Sequence, residues 1–262
     1  MKRVFAIYTC SKTVHRCKYI LDTWIQDLIK HDIPFFFISG DQLNDLPNFL
    51  YLENFQECYE QLPIKTYLAM QKLLQHCDFT HVVKVNDDTY VNVEKFLQLD
   101  LSNVKYAGKK NEPSNAPTYH FYKIKNKAFH VSKRDAKNAY AEGGFYILDY
   151  EAVKTIVLNN FDTFYNTPET YKGEDVLVGE IMKTYQFNLI DLKDDTSGKI
   201  NMDITNRGMS LHPVHYSLMP LIHAKSLEDQ LAILVENPLK NDYNRIKLYE
   251  SAKQNSFSST SC

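Results

Sequence analysis

Asn86, Asp87 and Asp88 directly follow a mostly apolar run at residues 81–85 that is typical of a buried strand. Two adjacent carboxylates at a buried edge are costly unless a positive group binds there. A hard divalent cation, Mg²⁺ or Mn²⁺, prefers such oxygen ligands, and it would bridge a diphosphate and act as a Lewis acid on a leaving nucleoside diphosphate. The alternative is a turn, because Asn and Asp favour turns and Asp often caps helices.

A second pair of carboxylates, Glu174 and Asp175, begins a stretch whose apolar residues recur at helical spacing over residues 174–185. Carboxylates are favoured at the N-terminus of a helix because of the helix dipole, so capping is one interpretation. The other interpretation makes one of them a general base beside an acceptor hydroxyl. Both interpretations stay open on these residues alone.

Two further features have both a structural and a functional interpretation. Gly143 and Gly144 precede a predicted strand over residues 145–148, where paired glycines form a turn or let the backbone approach a ligand closely. His223 follows the apolar run 218–222, and at a strand end it would lie within reach of a metal. A lone histidine is more often a structural residue than a ligand, so neither interpretation is excluded.

The elements that must position these residues alternate between strands and helices. Strands are predicted over residues 4–8, 34–39, 49–52, 80–85 and 145–148, and helices over residues 15–30, 64–77, 151–158, 174–185 and 227–235. Residues 105–130 predict short antiparallel strands and loops. The pattern favours an α/β/α sandwich with a central, mostly parallel sheet and a smaller antiparallel region. Ligands of such sheets bind beyond the carboxyl ends of the strands, where Asn86-Asp87-Asp88 is expected.

The composition limits the class of protein and its partners. The chain has 262 residues, of which 44% are hydrophobic and 24% charged, as in an ordinary globular protein. The formal net charge of −2 at pH 7 leaves no basic excess for a nucleic-acid partner. Residues 1–240 are predicted to form one domain, and residues 241–262 a C-terminal helix and a polar, disordered tail. The oligomeric state is not predicted.

Cysteine usage and the lengths of the apolar runs bear on the cellular setting. Five cysteines without a CxxC pair predict free thiols in a reducing compartment. The apolar run at residues 4–8 is too short for a signal peptide, and no run is long enough for a membrane span. We therefore predict a cytoplasmic protein. The many Lys, Asn, Ile and Tyr residues fit an AT-rich genome, which suggests a microbial or viral protein in a host cytoplasm.

Five segments, in chain order, resemble the motifs of one group of enzymes. They are Thr23-Trp24, VKVNDDTYVN at 83–92, YAEGGFYIL at 140–148, EDVLVG at 174–179 and LIH at 221–223. The group is the inverting β-1,3-glycosyltransferases of family 31 with their Fringe-like relatives, which have the GT-A fold. The likeness spans about residues 4–235. It implies a GT-A-like fold and a transferase that moves a hexose or N-acetylhexosamine from a UDP-sugar to a hydroxyl of a glycan or glycoprotein.

The resemblance also implies a role for each site residue. Asp88 would bind the metal, Mn²⁺ or Mg²⁺, directly, and His223 would complete that site. Asp87 would contact the ribose or the water shell of the metal. Asp175 would be the base that deprotonates the acceptor hydroxyl, which would then displace the diphosphate with inversion. The remaining implied contacts are those of the donor sugar with Gly143 and Gly144, and those of the nucleotide base with Tyr8, Thr9 and Asp41, the latter by fold analogy alone.

Asn86 departs from the family pattern, which has Asp at this position. An Asn brings no charge, although its carbonyl oxygen still binds a metal or a ribose. This departure supports a competing interpretation, a non-catalytic glycan- or nucleotide-sugar-binding pseudoenzyme of the same fold. A metal-dependent phosphohydrolase and a retaining transferase of similar fold also stay open. The Asp-x-Asp-x-Thr spacing of aspartate-nucleophile phosphatases is absent at residues 86–90, which counts against the phosphohydrolase.

Overall fold

The computed structural model describes residues 2–113, 118–124, 128–134, 137–159, 173–192, 210–211 and 219–220. For residues 118–124, 128–134 and 210–211 the description is limited to the backbone. The predictions about His223, the helix over 227–235 and the segment 241–262 lie outside the described residues. The domain boundaries stay predictions. The four cysteines at positions 10, 17, 58 and 77 are free thiols.

Strands and helices alternate along the first half of the chain, as the sequence predicts. The strands are β1 (Arg3–Tyr8), β2 (Phe35–Ser39), β3 (Phe49–Tyr51), β4 (His81–Asn86), β5 (Tyr90–Val91), β6 (Tyr106–Asn111), β7 (Thr118–Ile124), β8 (Ala128–Arg134), β9 (Tyr140–Asp149), β10 (Leu189–Asp191) and β11 (Ser210–Leu211). The α-helices are α1 (Cys17–Leu21), α2 (Trp24–Lys30), α3 (Leu62–His76), α4 (Val93–Leu97), α5 (Tyr150–Asn159) and α6 (Glu174–Thr184). Short 3-10 helices span Val14–Arg16 and Tyr59–Gln61.

Seven strands form the central sheet in the order β10-β6-β9-β4-β1-β2-β3. β1 lies between β2 and β4 and runs parallel to both, while β9 runs antiparallel to its two neighbours β4 and β6. The strands β7 and β8 form a separate antiparallel pair, and so do β5 and β11. The predictions of a mostly parallel central sheet and of short antiparallel strands within 105–130 are therefore confirmed.

Side chains alternate between the two faces of the sheet and so supply two cores. On β1, Phe5 and Ile7 belong to one core, and Val4 and Ala6 to the other. Buried residues of α1, α2 and α4, among them Trp24, cover the first face. Buried residues of α3, α5 and α6 cover the second face. The α/β/α sandwich is thus confirmed, because each sheet face is closed by its own layer of helices.

Two local predictions were wrong. The single helix predicted over 15–30 is a 3-10 turn followed by α1 and α2, which are separated at Asp22 and Thr23. Thr23 has φ −125° and ψ −114°, outside the helical region, and its hydroxyl donates to the Tyr19 carbonyl oxygen at 2.6 Å. The second error is that Gly143 and Gly144 lie within β9 instead of preceding the strand. The pairing between β9 and β6 changes register near these glycines, so β9 continues beyond the irregularity.

Candidate active site

The carboxyl ends of β1, β2 and β4 meet at one edge of the sheet. In register, Tyr8 on β1 lies opposite Ile38 on β2 and Asn86 on β4. The residues that follow these strands therefore lie side by side, and the Thr9 N–H donates to the Ile38 carbonyl oxygen at 3.2 Å. The Asp87 N–H continues the pattern by donating to the Tyr8 carbonyl oxygen at 3.1 Å.

Asp87 is held by partners from two other segments of this edge. Its Oδ2 accepts a hydrogen bond from the Thr9 hydroxyl at 2.8 Å, and its Oδ1 lies 3.1 Å from Nη1 of Arg16. Burial raises the pKa of Asp87, while hydrogen bonds from Thr13 and Thr9 and the charge of Arg16 act in the opposite direction. Both carboxylate oxygens are therefore engaged within the protein.

Asp88 is the more open of the two carboxylates. Its side chain is 25% exposed, against 7% for Asp87. Its Oδ2 lies 3.6 Å from the same Arg16 Nη1, so one guanidinium bridges the acidic pair. A ligand that arrives from solvent therefore reaches Asp88 more easily than Asp87.

The Asn86 side chain is directed at a buried lysine. Its Oδ1 accepts a hydrogen bond from Nζ of Lys84 at 2.7 Å. The same ammonium donates to the Gly143 carbonyl oxygen and lies 3.7 Å from Oε2 of Glu174. Asn86, which stands where the resembled enzymes have Asp, is thus a neutral hydrogen-bond acceptor for Lys84.

Asp175 lies at the first turn of α6 and faces β9. Its Oδ2 accepts from the Gly143 N–H at 3.2 Å, and its Oδ1 accepts from the Val176 N–H at 2.9 Å. A Cβ on Gly143 would lie 3.2 Å from Asp175 Oδ2, so these two segments are in close contact at the glycine. The neighbouring Gly144 carbonyl oxygen accepts from the Thr89 hydroxyl at 3.0 Å, which ties β9 to the loop after Asp88.

Glu174 and Asp175 are both buried, with exposed fractions of 6% and 5%, but Glu174 is bonded by side chains of α3 and β9. Its Oε1 accepts from the Thr66 hydroxyl at 3.0 Å and also from the Tyr146 hydroxyl. Burial raises the pKa of Glu174, while the nearby charge of Lys84 acts to lower it. Of the two carboxylates, Asp175 is therefore the one that the helix presents to Gly143 and the sheet edge.

The residues expected near the nucleotide base lie at the ends of β1 and β2. Asp41 Oδ2 accepts from the Ser11 N–H at 2.8 Å, which joins the two loops that follow these strands. The Tyr8 ring is buried, with the ammonium groups of Lys84 and Lys65 at 4.9 and 5.6 Å from its centroid. The buried Tyr8 ring is therefore not open to a nucleotide base.

A buried ion pair lies under this part of the edge. Lys65 on α3 donates from Nζ to the Thr9 carbonyl oxygen and to Glu57 Oε1, each at 2.6 Å. The same Glu57 oxygen accepts from the Ser39 hydroxyl at 3.1 Å and from the Gly40 N–H at 2.7 Å. The pair thus joins the ends of β1 and β2 from below.

Sequence reasoning missed four charged residues of this site: Arg16, Glu57, Lys65 and Lys84. Only Lys84 had a visible signal, since it interrupts a run of valines in a largely apolar strand. Arg16 and Lys65 find partners far away in sequence, as in the separation of 71 residues between Arg16 and Asp87, and Glu57 pairs with Lys65 at a separation of eight residues that has no motif. Composition and spacing therefore gave no indication of these contacts.

The oxygen donors at this edge fit a hard divalent cation in part. Among the described residues, no three His, Cys, Asp or Glu side chains are grouped to hold a metal ion. However, Mg²⁺ is commonly bound by one or two carboxylates together with substrate phosphates. Asp88 supplies an accessible carboxylate of this kind, and His223 lies outside the described residues. Asp88 therefore fits a role as a ligand of the divalent cation. Asp87 fits this role less well, because both of its carboxylate oxygens already have protein partners.

Comparison with known families places the fold and site in context. A sequence model of the galactosyltransferase family matches residues 49–193, which is more than half of the chain. The chain therefore belongs to the galactosyltransferase family, and it is a glycosyltransferase. The matched segment contains Asn86, Asp87, Asp88, Gly143 and Asp175. The family implies a sugar donor and a glycan acceptor, so the class of enzyme inferred from the sequence is confirmed.

The remaining comparisons add little about function. A search of curated proteins found no match. Among solved structures, a glycosyltransferase involved in glycosylation of the major capsid of PBCV-1 is 12% identical, with a TM-score of 0.41 over 76% of this chain and 86% of that chain. A197 from STIV is 15% identical, with a TM-score of 0.35 over 72% and 80%. The 4-diphosphocytidyl-2C-methyl-D-erythritol synthase from Anaerococcus prevotii DSM 20548 is 11% identical, with a TM-score of 0.42 over 71% and 84%. At these scores, the likenesses do not bear on activity.

Within the described parts of the chain, no helix has the length and apolar character needed to cross a membrane. The cytoplasmic location and the microbial or viral origin stay predictions.

Proposed function

We propose that this chain is an inverting, metal-dependent glycosyltransferase that moves a hexose or N-acetylhexosamine from a UDP-sugar to a hydroxyl of a glycan or glycoprotein. Family membership makes galactose the first donor sugar to test. The main support is the Asp175 carboxylate, which the Gly143 and Val176 N–H groups fix through both oxygens. It lies beside the sheet edge that also bears Asp87 and Asp88.

Asp175 is proposed as the general base. It accepts the proton of the acceptor hydroxyl while the hydroxyl oxygen forms a bond to the anomeric carbon of the donor. The bond between that carbon and the β-phosphate oxygen breaks, and its electron pair leaves with UDP. Because the attack comes from the face opposite the leaving group, the configuration inverts. The two backbone hydrogen bonds orient the carboxylate before the substrates bind, which lowers the entropic cost of the reaction.

The donor is proposed to bind over the ends of β1, β2 and β4. A bound Mn²⁺ or Mg²⁺ supplies positive charge that stabilises the departing diphosphate. Asp88 and His223 would hold this ion. Thr9 and Asp41 are proposed to meet the nucleotide base, with Tyr8 contributing through its backbone.

Asn86 and Asp87 are proposed to act less directly. Asp87 holds Thr9 and Arg16 in place, so its contact with the donor would be with the ribose or the water shell of the metal. Asn86 accepts a hydrogen bond from Lys84. An amide serves this role as well as a carboxylate if the residue does not have to bind the metal. Gly143 and Gly144 would line the pocket of the donor sugar.

The proposal is tested by a panel of UDP-sugars, with UDP-galactose first, and by UDP alone. Thermal stabilisation is measured with and without Mn²⁺, because a ligand that binds the folded state raises its melting temperature. Release of UDP is then measured with water and with simple glycosides as acceptors. Mn²⁺-dependent stabilisation and UDP release are the expected results. Stabilisation without UDP release from any donor would favour the pseudoenzyme.

Two variants separate donor binding from turnover. Asp88→Ala is expected to abolish the Mn²⁺-dependent part of UDP binding, and unchanged calorimetric binding would contradict the metal assignment. Asp175→Asn is expected to leave UDP binding nearly intact and to lower turnover by at least ~10²-fold, the usual scale for a general base. Full activity of this variant would rule out Asp175 as the base.

A further inference from the structure

Lys84 is a nearly fully buried cation in the central strand β4. Its side chain is 3% exposed. A buried ammonium is unfavourable unless its three N–H donors and its charge find partners. It donates to Asn86 Oδ1 at 2.7 Å and to the Gly143 carbonyl oxygen, and Glu174 Oε2 lies 3.7 Å away. These contacts offset the cost of burial.

The partners of Lys84 come from four of the segments that carry or adjoin proposed site residues. Tyr8 ends β1, Asn86 ends β4, Gly143 belongs to β9 and Glu174 begins α6. The ammonium lies 4.9 Å from the centroid of the Tyr8 ring, within the range of a cation–π interaction. Lys84 therefore contacts all four segments.

Gly143 is held from two sides. Its carbonyl oxygen accepts from Lys84, and its N–H donates to Asp175 Oδ2 at 3.2 Å. A Cβ at this residue would lie only 3.2 Å from that oxygen, so the glycine backbone and the carboxylate are in close contact. A shift of the Gly143 backbone is thus transmitted to the Asp175 carboxylate.

We propose that Lys84 is a positioning residue, which orients the base Asp175 by fixing the Gly143 carbonyl. This inference rests on the proposed function, in which Asp175 is the base. Asn86 completes the hydrogen bonding of Lys84 without adding a second carboxylate beside Glu174. The neutral residue at this position therefore belongs to the Lys84 network and not to the metal site.

The first test replaces Lys84 with Met, which keeps an unbranched side chain one atom shorter and removes the ammonium. Turnover of UDP-galactose with water as acceptor is expected to fall on the order of 10²-fold, as for small misplacements of a catalytic group. The Kd of UDP with Mn²⁺ is expected to change less than about threefold, because Asp88 and the β1–β2 edge are retained. The matched control is Lys109→Met, which removes an exposed ion pair with Glu142 of β9 and is expected to leave turnover within about twofold.

A second comparison removes charge imbalance as the explanation. In Lys84→Met the Glu174 carboxylate is buried without its cation, so the double variant Lys84→Met with Glu174→Gln restores electrical neutrality. It is compared with Glu174→Gln alone, and it serves as the test if the single Lys84 variant does not fold. The double variant is expected to recover thermal stability but not turnover. Recovery of both would overturn the proposal, because Lys84 would then have only a structural role.

A third comparison shows whether Lys84 acts through Asp175. Once Asp175→Asn has removed the base, adding Lys84→Met is expected to lower the residual turnover less than twofold. Residues that act as a unit are non-additive in this way. A full further loss in the Asp175→Asn background would overturn the proposal. Failure of the base assignment itself is recognised separately, since Asp175→Asn alone would then be fully active.

Discussion

Nη1 of Arg16 lies 3.1 Å from Oδ1 of Asp87 and within ion-pair distance of the next carboxylate, Asp88. The guanidinium reaches the acidic pair from the 3-10 turn Val14–Arg16, beside the first strand. One cation of the chain thus stabilises two adjacent carboxylates at the end of β4. A divalent ion that binds Asp88 would share this role, since both cations neutralise the same pair of charges.

Arg16→Met is expected to destabilise the metal-free protein, because the two carboxylates would repel each other without the guanidinium. For a partly buried pair the loss is about 1–2 kcal/mol, which lowers the melting temperature by roughly 2–6 °C. Saturating Mn²⁺ is expected to reduce the difference in melting temperature between the wild type and Arg16→Met. Thermal unfolding with and without Mn²⁺ measures both effects, and Lys18→Met, at an exposed residue of α1, is the control. A difference that Mn²⁺ leaves unchanged would show that the ion does not bind this pair.

Lys65→Met is expected to destabilise the protein far more than Lys72→Met, although both lysines lie on α3 and pair with glutamates. Lys65 is 2% exposed and lies 2.6 Å from Glu57, whereas Lys72 is 28% exposed and lies 3.3 Å from Glu53. Removing one partner of a buried pair costs about 3–5 kcal/mol, and an exposed pair contributes about 0–1 kcal/mol. Urea unfolding measures both free energies.

The double variant Lys65→Met with Glu57→Gln checks the cause of that loss. It removes the carboxylate that Lys65→Met leaves buried, so it is expected to recover part of the stability. The amide oxygen that Glu57→Gln introduces would still accept from the Gly40 N–H, as the carboxylate does at 2.7 Å. If Lys65→Met and Lys72→Met lost the same free energy of unfolding, burial would not be the reason that the Lys65–Glu57 pair stabilises the protein.

The sheet edge could be predicted from the sequence because it depends on local patterns. Apolar runs predicted β1, β2 and β4, and parallel strands place their carboxyl ends together. That step placed Asp87 at this edge, whereas Thr9 and Asp41 were expected there by fold analogy. The cations that organise the edge could not be predicted, because each finds its partners through the fold. Lys65, for example, contacts Thr9 across 56 residues of sequence.

The errors in the elements have a related cause. Apolar residues recur at helical spacing across residues 15–30, and the sequence pattern does not register the break at Thr23. At the break, the Thr23 hydroxyl bonds the carbonyl oxygens of Tyr19 and Ile20, a local competition that apolar spacing does not record. Likewise, Gly143 and Gly144 are turn formers in isolation, yet β9 continues beyond them, because Tyr140 and Ala141 pair with β6. Strand pairing in the folded protein thus overrides the local preference of these two glycines for a turn.

Two glycine substitutions are expected to affect different properties, one the stability of the protein and the other its turnover. A Cβ at Gly179 of α6 would lie 2.4 Å from the Tyr140 Cβ, so Gly179→Ala forces α6 away from β9 and costs about 1–3 kcal/mol of stability. A Cβ at Gly143 would lie 3.2 Å from Asp175 Oδ2, a contact relieved by a small shift of the carboxylate. Gly143→Ala is therefore expected to unfold within about 1 kcal/mol of the wild type and to lose roughly 10-fold or more in turnover.

Urea unfolding and UDP release measured on the same preparations separate these effects. The UDP Kd of Gly143→Ala is expected to stay close to that of the wild type, since the change lies beside the base. If Gly143→Ala retained full turnover, a close fit between this glycine and Asp175 would not matter for catalysis.

His81 at the start of β4 is expected to make stability fall in mild acid. Its ring is buried, and Nε2 lies 2.9 Å from the Val104 carbonyl oxygen, to which it donates. Burial lowers the pKa of His81 below its usual value of 6.5, which applies in the unfolded chain. Between the two pKa values the unfolded chain binds a proton that the folded protein does not. Stability is therefore lost as the pH falls below 6.5, by up to about 1.4 kcal/mol per pH unit.

His81→Gln keeps a donor for Val104 and cannot take up a proton, so it removes this contribution. The free energy of unfolding of the wild type minus that of the variant is expected to decrease as the pH is lowered from about 7.5 to about 5, measured by urea unfolding at each pH. His76→Gln, at an exposed histidine of α3, is the control and is expected to stay within about 0.5 kcal/mol of the wild type. A wild-type minus His81→Gln difference that stays constant over this range would mean that folding does not hold His81 neutral.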